Sequence, residues 1–482
     1  MAFTSVTFLL FYLPIVLLTY FLLPTIKLKN TFLLLAGLLY YYWGGQQYVL
    51  VMIFSIFATW FFGYLIAGEQ KKSRQKLILG TGIIVHLGML LFFKYANFFV
   101  SNIIMMAKYI GVLHPDAVFN NMKIYLPIGI SFFTFQSISY LIDVYRSRSV
   151  YQKSPLIIGM YKSLFPLLIA GPIVRYVDIK NETAKRIVTF DSFSIGVERF
   201  IIGLAQKVLI ADVMGNMADH VFGIPAEHLT PLIAWLGAIA YTLQIYYDFA
   251  GYSSMAIGLG RMFGFKFLEN FNFPYASVSI TDFWRRWHIS LSSWFRDYLY
   301  IPLGGNRCSK ARNYMNLFAV FILCGFWHGA GWTFIFWGIF HGSFLTLEKA
   351  FLLRFFSRIP TIFSRIYTIF VVMVGWVVFR SESLSGAADF IKKMFGLGRA
   401  KPIEMLSIYE IFNYESMVAM FIGIVFSFLF MKIYDRDALN IDFKKLQFIY
   451  PYAKLAVMTS MFFLSILYLS GGTFNPFIYS RF

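Results

Sequence analysis

Between residues 317 and 347 the chain carries no Asp, Glu, Lys or Arg. A helix rises about 1.5 Å per residue, so such a run is long enough to cross a hydrocarbon core about 30 Å thick. Within it stands His328, in Cys324-Gly-Phe-Trp-His-Gly-Ala-Gly-Trp332. An ionisable side chain at that depth is costly to bury and marks a functional site by default.

The rest of the chain shares this apolar character. Of 482 residues, 59% are hydrophobic and 13% charged, with a mean hydropathy of +0.66. A water-soluble globule cannot cover that much apolar surface, so the reading is a polytopic membrane protein. Lys and Arg exceed Asp and Glu, for a net charge of +19. The excess falls in short clusters between apolar runs, which is the positive-inside pattern and argues against a nucleic-acid partner. Cys308 and Cys324 supply neither a disulfide framework nor a CxxC motif.

Long apolar runs occupy roughly 5–23, 47–67, 77–100, 124–143, 231–247, 313–345, 361–379, 413–433 and 452–470. Shorter ones lie near 31–43, 154–173 and 194–215. They predict an all-α chain of about ten to twelve membrane segments, some re-entrant, in one domain spanning 1–482. No basic region precedes the first run, and Lys27 and Lys29 follow it. That predicts an uncleaved first span with its N-terminus outside. Lys432, Arg436, Lys444 and Lys445 precede the last run, so the C-terminus and its aromatic tail, 471–482, are expected outside as well.

A second histidine, His288, lies in the aromatic stretch 279–300. Trp284, Trp287, Leu291, Trp294 and Tyr298 recur at helical spacing and predict one face of a helix. Arg285, His288, Ser292 and Arg296 fall on the adjacent face. Two readings stay open: an interfacial helix with Arg at the headgroups, or the wall of an anionic ligand site. The glycines around His328 either leave space for a substrate or let helices approach closely. A histidine merely satisfied by a neighbouring helix is the plainer alternative. His341 falls on another face of that helix and reads as structural. Glu198, Asp212 and Asp248 are further polar residues within apolar stretches, and Asp248 either orients a catalytic group or pairs with an internal Arg. Gly171-Pro-Ile-Val-Arg-Tyr176 reads as a broken helix ending at the cytosolic face. No phosphate-binding loop, HExxH, GxSxG or dinucleotide fingerprint is present.

Several words carry a resemblance. They are Leu126-Pro-Ile-Gly-Ile-Ser131, Ala170-Gly-Pro172, Tyr247-Asp-Phe-Ala-Gly-Tyr252, Met255-Ala-Ile-Gly-Leu-Gly260 and Glu269-Asn-Phe271. They continue with Phe283-Trp-Arg-Arg-Trp-His-Ile-Ser290, Trp294-Phe-Arg-Asp-Tyr-Leu-Tyr300, Leu303-Gly-Gly-Asn-Arg307, Trp327-His-Gly-Ala330 and Phe477-Ile-Tyr479. Nearly end to end, the chain resembles the membrane-bound O-acyltransferase family. Within it, the similarity is greatest to the branch that O-acetylates alginate and peptidoglycan.

The resemblance implies an all-α fold around a central tunnel, with His328 matching the catalytic histidine and His288 a second signature position. It implies acetyl-CoA from the cytosol as acyl donor, and neither metal nor haem. Arg285, Arg286 and Arg296, with the basic loop 307–312, would hold the donor's phosphates. The acceptor would be a bacterial cell-envelope polysaccharide, either peptidoglycan or an alginate-like exopolysaccharide. The protein would sit in the cytoplasmic (inner) membrane and work with a separate extracytoplasmic SGNH-type O-acetyltransferase. Tyr479, in the aromatic tail, would be an acyl relay, although Ser480 and Arg481 depart from the Phe and Gln often found there. Competing readings are a proton-coupled transporter or flippase with His328 as proton relay, and a haem protein with both histidines as axial ligands.

Overall fold

Backbone amides buried in lipid must be paired internally, and this sequence meets that demand with helices alone. The computed structural model describes residues 3–111, 124–398, 412–428, 450–471 and 477–478, among which no strand occurs. The first helices are α1 (Leu13–Leu22), α2 (Ile26–Gly45) and α3 (Val49–Gly68). Next, α4 (Lys72–Leu90) runs through a π turn at Leu91–Tyr95 into α5 (Ala96–Tyr109). Then come α6 (Ile130–Arg146), α7 (Pro155–Ser163) and α8 (Tyr176–Ala184). By length and composition, five helical stretches among the described residues suffice to cross a membrane: 26–68, 72–109, 190–223, 361–380 and 451–471. Large apolar side chains such as Leu35, Phe54 and Ile84 are exposed on these helices, as lipid contact requires.

The interior is built on α9 (Phe190–Ala205), α10 (Asp212–Gly223) and the long α11 (Pro231–Met262). Two pairs of glycines bring α9 and α11 into backbone contact. A Cβ on Gly203 would lie 2.5 Å from the Gly251 carbonyl oxygen, and one on Gly196 would lie 2.7 Å from that of Gly258. The spacing of seven residues on each helix repeats the contact two turns later, the small-residue packing of membrane helices.

The two histidine stretches depart from their predicted geometry. The segment 279–300 is not one helix. It comprises α12 (Ile280–Arg286), α13 (Ile289–Phe295) and a π turn at Arg296–Tyr300. The run 313–345 is likewise two helices, α14 (Lys310–His328) and α15 (Trp332–Leu347). Gly325 and Gly338 let them cross closely, since Cβ atoms there would sit 2.2 Å and 2.3 Å from the carbonyl oxygens of Phe334 and Phe321. These small residues therefore serve packing. The fold closes with α16 (Thr361–Arg380), α17 (Leu384–Met394), α18 (Tyr414–Phe428) and α19 (Tyr450–Gly471). Two residues far apart in the sequence meet in the interior: Phe3 stacks on Tyr252 at 4.8 Å and Phe477 makes a T-shaped contact with the same ring at 4.5 Å.

Candidate active site

His328 is the last residue of α14, because the extended Gly329 ends the helix. It is therefore at a helix terminus, not inside a continuous helix. The final carbonyls of a helix lack partners within it, and in an apolar interior other groups must supply them. Here the Tyr95 hydroxyl donates to the Phe326 carbonyl. The Lys94 ammonium donates to the carbonyls of Trp327 at 2.5 Å and His328 at 3.2 Å. Its third contact is Ser131 Oγ at 3.4 Å. A cation at a helix C-terminus also complements the helix dipole.

His288 sits in the break between α12 and α13, with the left-handed angles φ 44° and ψ 54°. Such a backbone is uncommon for a side chain other than Gly and persists where its surroundings hold it. The fully buried Asn270 does that. Its carbonyl accepts from Ile289 N at 2.9 Å. Its Oδ1 lies 2.8 Å from Ser290 Oγ and 3.1 Å from His288 Nδ1. Its amide nitrogen donates to Ser253 Oγ at 3.1 Å. Asn270 Oδ1 is an acceptor, so it selects the tautomer with the proton on Nδ1 and leaves Nε2 as the basic nitrogen.

The two histidines converge on one aromatic cluster. Trp327 lies 6.1 Å from the His288 ring and 4.9 Å from the His328 ring. Trp337 and Phe379 enclose His328 at 5.2 Å and 5.3 Å. His341 belongs to the same cluster, 4.9 Å from Trp337, although the sequence set it on a different face of one helix. The Gly329–Gly331 break explains this, because His341 lies on α15, which folds back along α14.

The predicted cationic stripe divides. Arg285, Ser292 and Arg296 line a cavity of about 820 Å³, joined by Lys310, Lys349 and Arg354. His288 is not in its wall, because the break after Arg286 turns it away. Nor is Arg286, whose Nε pairs with Asp282 at 2.9 Å. Lys349 is held by Asn306 Oδ1 at 3.0 Å, and Asn313 bonds the Tyr300 hydroxyl at 2.7 Å. Arg296 is held by Asp297 at 2.7 Å, and Asp297 in turn by Arg175 at 2.8 Å. Apolar walls of Leu317, Val320 and Phe321 lead inward to Cys324, one turn before His328 on α14. Trp284 also lines the cavity and packs on Trp337 at 5.4 Å. The cavity thus has a cationic part and an apolar part that abuts the histidine cluster.

The remaining expectations fall as follows. Asp248 is paired, with Lys207 at 2.5 Å, not with an Arg. Glu198 pairs with Lys454 at 2.6 Å and Asp212 with Lys207 at 2.7 Å. Gly171, at φ 103°, lies in a non-helical segment whose Ile173 amide donates to Ser290 Oγ at 2.9 Å. Tyr479 lies outside the described residues. Among the described residues no group of three or more side chains is arranged to hold a metal ion. Lys94 and Asn270 escaped the reading by sequence. Lys94 had a signal, since it is the sole Asp, Glu, Lys or Arg of the run 77–100. Asn270 had one only as part of the word Glu269-Asn-Phe271, which gave it no role.

A family model described as membrane-bound O-acyltransferase matches residues 38–381. Over 403 residues the chain is 45% identical to a protein of Azotobacter vinelandii named "Probable alginate O-acetylase", covering 83% of this chain and 79% of the relative. A Pseudomonas putida protein of the same name is 39% identical over the whole of both chains. A Helicobacter pylori protein named "Peptidoglycan O-acetyltransferase" is 35% identical over 82% of this chain and 80% of that one.

Proposed function

The chain belongs to the membrane-bound O-acyltransferase family, and on that premise we propose that it moves acetyl from cytosolic acetyl-CoA to a cell-envelope polysaccharide. The names of its relatives support a polysaccharide acceptor, either peptidoglycan or an alginate-like exopolysaccharide. The single observation that carries the mechanism is the junction of cavity and cluster at Cys324 and Trp284. A cationic, hydrogen-bonding mouth suits the phosphates of a coenzyme A donor. An apolar inner wall suits its acyl arm, and the catalytic base waits one helical turn beyond.

Arg285, Arg296, Lys310, Lys349 and Arg354 bind the phosphates in this reading. The positive-inside distribution of the basic loops puts that mouth at the cytosol. Arg286, tied to Asp282, contributes to the local fold instead. His328 removes the proton from the acceptor hydroxyl, and the oxygen attacks the thioester carbonyl carbon. The tetrahedral intermediate then collapses, the carbon–sulfur bond breaks, and the thiolate takes the proton from the imidazolium. The products are an acetyl ester, a thiol and the neutral base. His288, with Nδ1 fixed by Asn270, uses Nε2 to orient the acceptor hydroxyl. The chemistry requires no metal and no haem.

The first acceptor is the Tyr479 phenol, and a separate extracytoplasmic SGNH-type enzyme carries the acetyl onward to the glycan. An aryl ester is cleaved more readily than an alkyl ester, so the second transfer runs downhill. The protein is then a multi-pass component of the cytoplasmic membrane with both ends outside. The test is His328→Ala in purified protein supplied with labelled acetyl-CoA. The expected loss is roughly 10²–10⁴-fold in acetyl transfer with normal insertion and donor binding. Turnover at the native rate would exclude His328 as the base.

A further inference from the structure

We propose that the Lys207–Asp248 pair is a built-in receptor for the chain's own C-terminal segment and seats it beside His288. The two side chains are almost fully buried, 2% and 3% exposed, with Nζ 2.5 Å from Asp248 Oδ1. The other carboxylate oxygen, Oδ2, accepts the Ile478 amide at 2.7 Å. The Lys207 ammonium also lies 4.8 Å from the centre of the Phe477 ring. Tyr252, one turn after Asp248 on α11, receives the edge of that ring at 4.5 Å. Two consecutive tail residues are therefore gripped by a charge-assisted hydrogen bond, a cation–π contact and an aromatic contact.

A buried carboxylate is stable only when its lone pairs find donors. Lys207 meets one oxygen of Asp248 and also Asp212 Oδ1 at 2.7 Å. The tail amide meets the other Asp248 oxygen, so the tail is a working member of the network.

The location gives the grip its use. On α11, Phe249 and Ser253 each follow a tail-binding residue directly. Phe249 packs on the His288 ring at 4.6 Å, and Ser253 accepts from the Asn270 that holds His288. The tail site and the His288 support are thus neighbouring faces of the same turn of α11. A helix is about 10 Å across with its side chains. The docked Phe477, on Tyr252, and the His288 ring, on Phe249, are therefore separated by about the width of one helix turn of α11. Docking is independent of the relay reading; the consequence for transfer rests on it.

Ile478→Pro removes the donated N–H but also fixes φ and trims the side chain, with Ile478→Val as the control for the trimmed side chain. Carboxypeptidase digestion of the detergent-solubilised full chain reads docking directly. Loss of one charge-assisted hydrogen bond should speed release of the terminal residues about tenfold to a hundredfold. Asp248→Asn, which keeps the size and weakens the acceptor, should act in the same direction. Unchanged release in both variants, at an unchanged melting temperature, overturns the proposal. Glycan acetylation is then compared with Tyr479→Phe. Fast release in Ile478→Pro with an active Tyr479→Phe keeps the receptor and discards the relay. Native release in Ile478→Pro with an inactive Tyr479→Phe does the reverse.

Discussion

The Lys94 ammonium lies 3.2 Å from the main-chain carbonyl of His328, and so ties the π turn after α4 to the end of α14. Lys94 does not reach the imidazole through these bonds. It fixes the backbone from which the imidazole projects, and its charge offsets the negative end of the helix dipole.

Lys94→Met should therefore lower kcat about tenfold or more, since a partly buried cation at a helix C-terminus contributes up to about 2 kcal/mol. The KM for the donor should hold, because Lys94 is not in the cavity wall. Lys94→Arg keeps the charge and should recover part of the rate. Steady-state kinetics of the three proteins decide it: a rise in KM at constant kcat would place Lys94 in donor binding.

Asn270→Ala removes the groups that bond His288 Nδ1, Ser290 and Ser253 together. Leaving these buried polar groups unmatched should destabilise the fold by about 1–3 kcal/mol. Acetyl transfer per folded molecule should fall further than stability explains, because the His288 tautomer is no longer set. Thermal melts and turnover, measured on the same monodisperse fraction, separate the two effects. Full turnover per folded molecule would remove Asn270 from the mechanism.

Charge removal in the cavity should separate its residues from their neighbour. Lys349→Met and Arg354→Gln should each raise the donor KM about fivefold to a hundredfold, as expected for one hydrogen bond to a charged group. Arg286→Gln should leave it nearly unchanged, because that guanidinium is not in the cavity wall and pairs with Asp282. Raised ionic strength should weaken donor binding in the native protein and less so in Lys349→Met. A KM that responds to Arg286 alone would move the phosphate site to α12.

Gly338→Ala should part α14 from α15, since its Cβ would meet the Phe321 carbonyl oxygen at 2.3 Å. Overpacking of this kind costs about 1–3 kcal/mol, and the shift falls on the helix that ends at His328. Gly88→Ala is the control, with nothing within 4 Å of its Cβ on α4. A melting temperature lowered only in Gly338→Ala is the expected result. Equal melting of both would show that the hairpin yields without strain.

Local pattern was sufficient for much of the protein. A charge-free run announces burial in lipid because ionised groups are expensive there, and that made His328 stand out without any partner in view. The same rule applied to Lys94 would have found the capping cation in the run 77–100. Hydropathy alone does not show it, because one charge scarcely lowers the mean of a long apolar window.

Helical periodicity succeeded only while the helix continued. Arg285, His288 and Arg296 share a face on paper, yet the left-handed backbone at His288 sends the histidine into the core and leaves the two arginines in the cavity. That backbone exists because Asn270, eighteen positions earlier, supplies acceptors across the break. Spacing cannot foresee a bond between distant residues.

The sequence by itself determined the membrane setting and the helical class and singled out His328 and His288 as candidates, because composition, charge-free runs and short words are read along the chain. Only the tertiary structure decided that His328 ends a helix under Lys94, that Arg286 leaves the cationic group, and that Asp248 meets Lys207 and the tail. Those outcomes depend on which buried polar group finds which partner, and a buried charge accepts whatever donor the packed helices bring within reach.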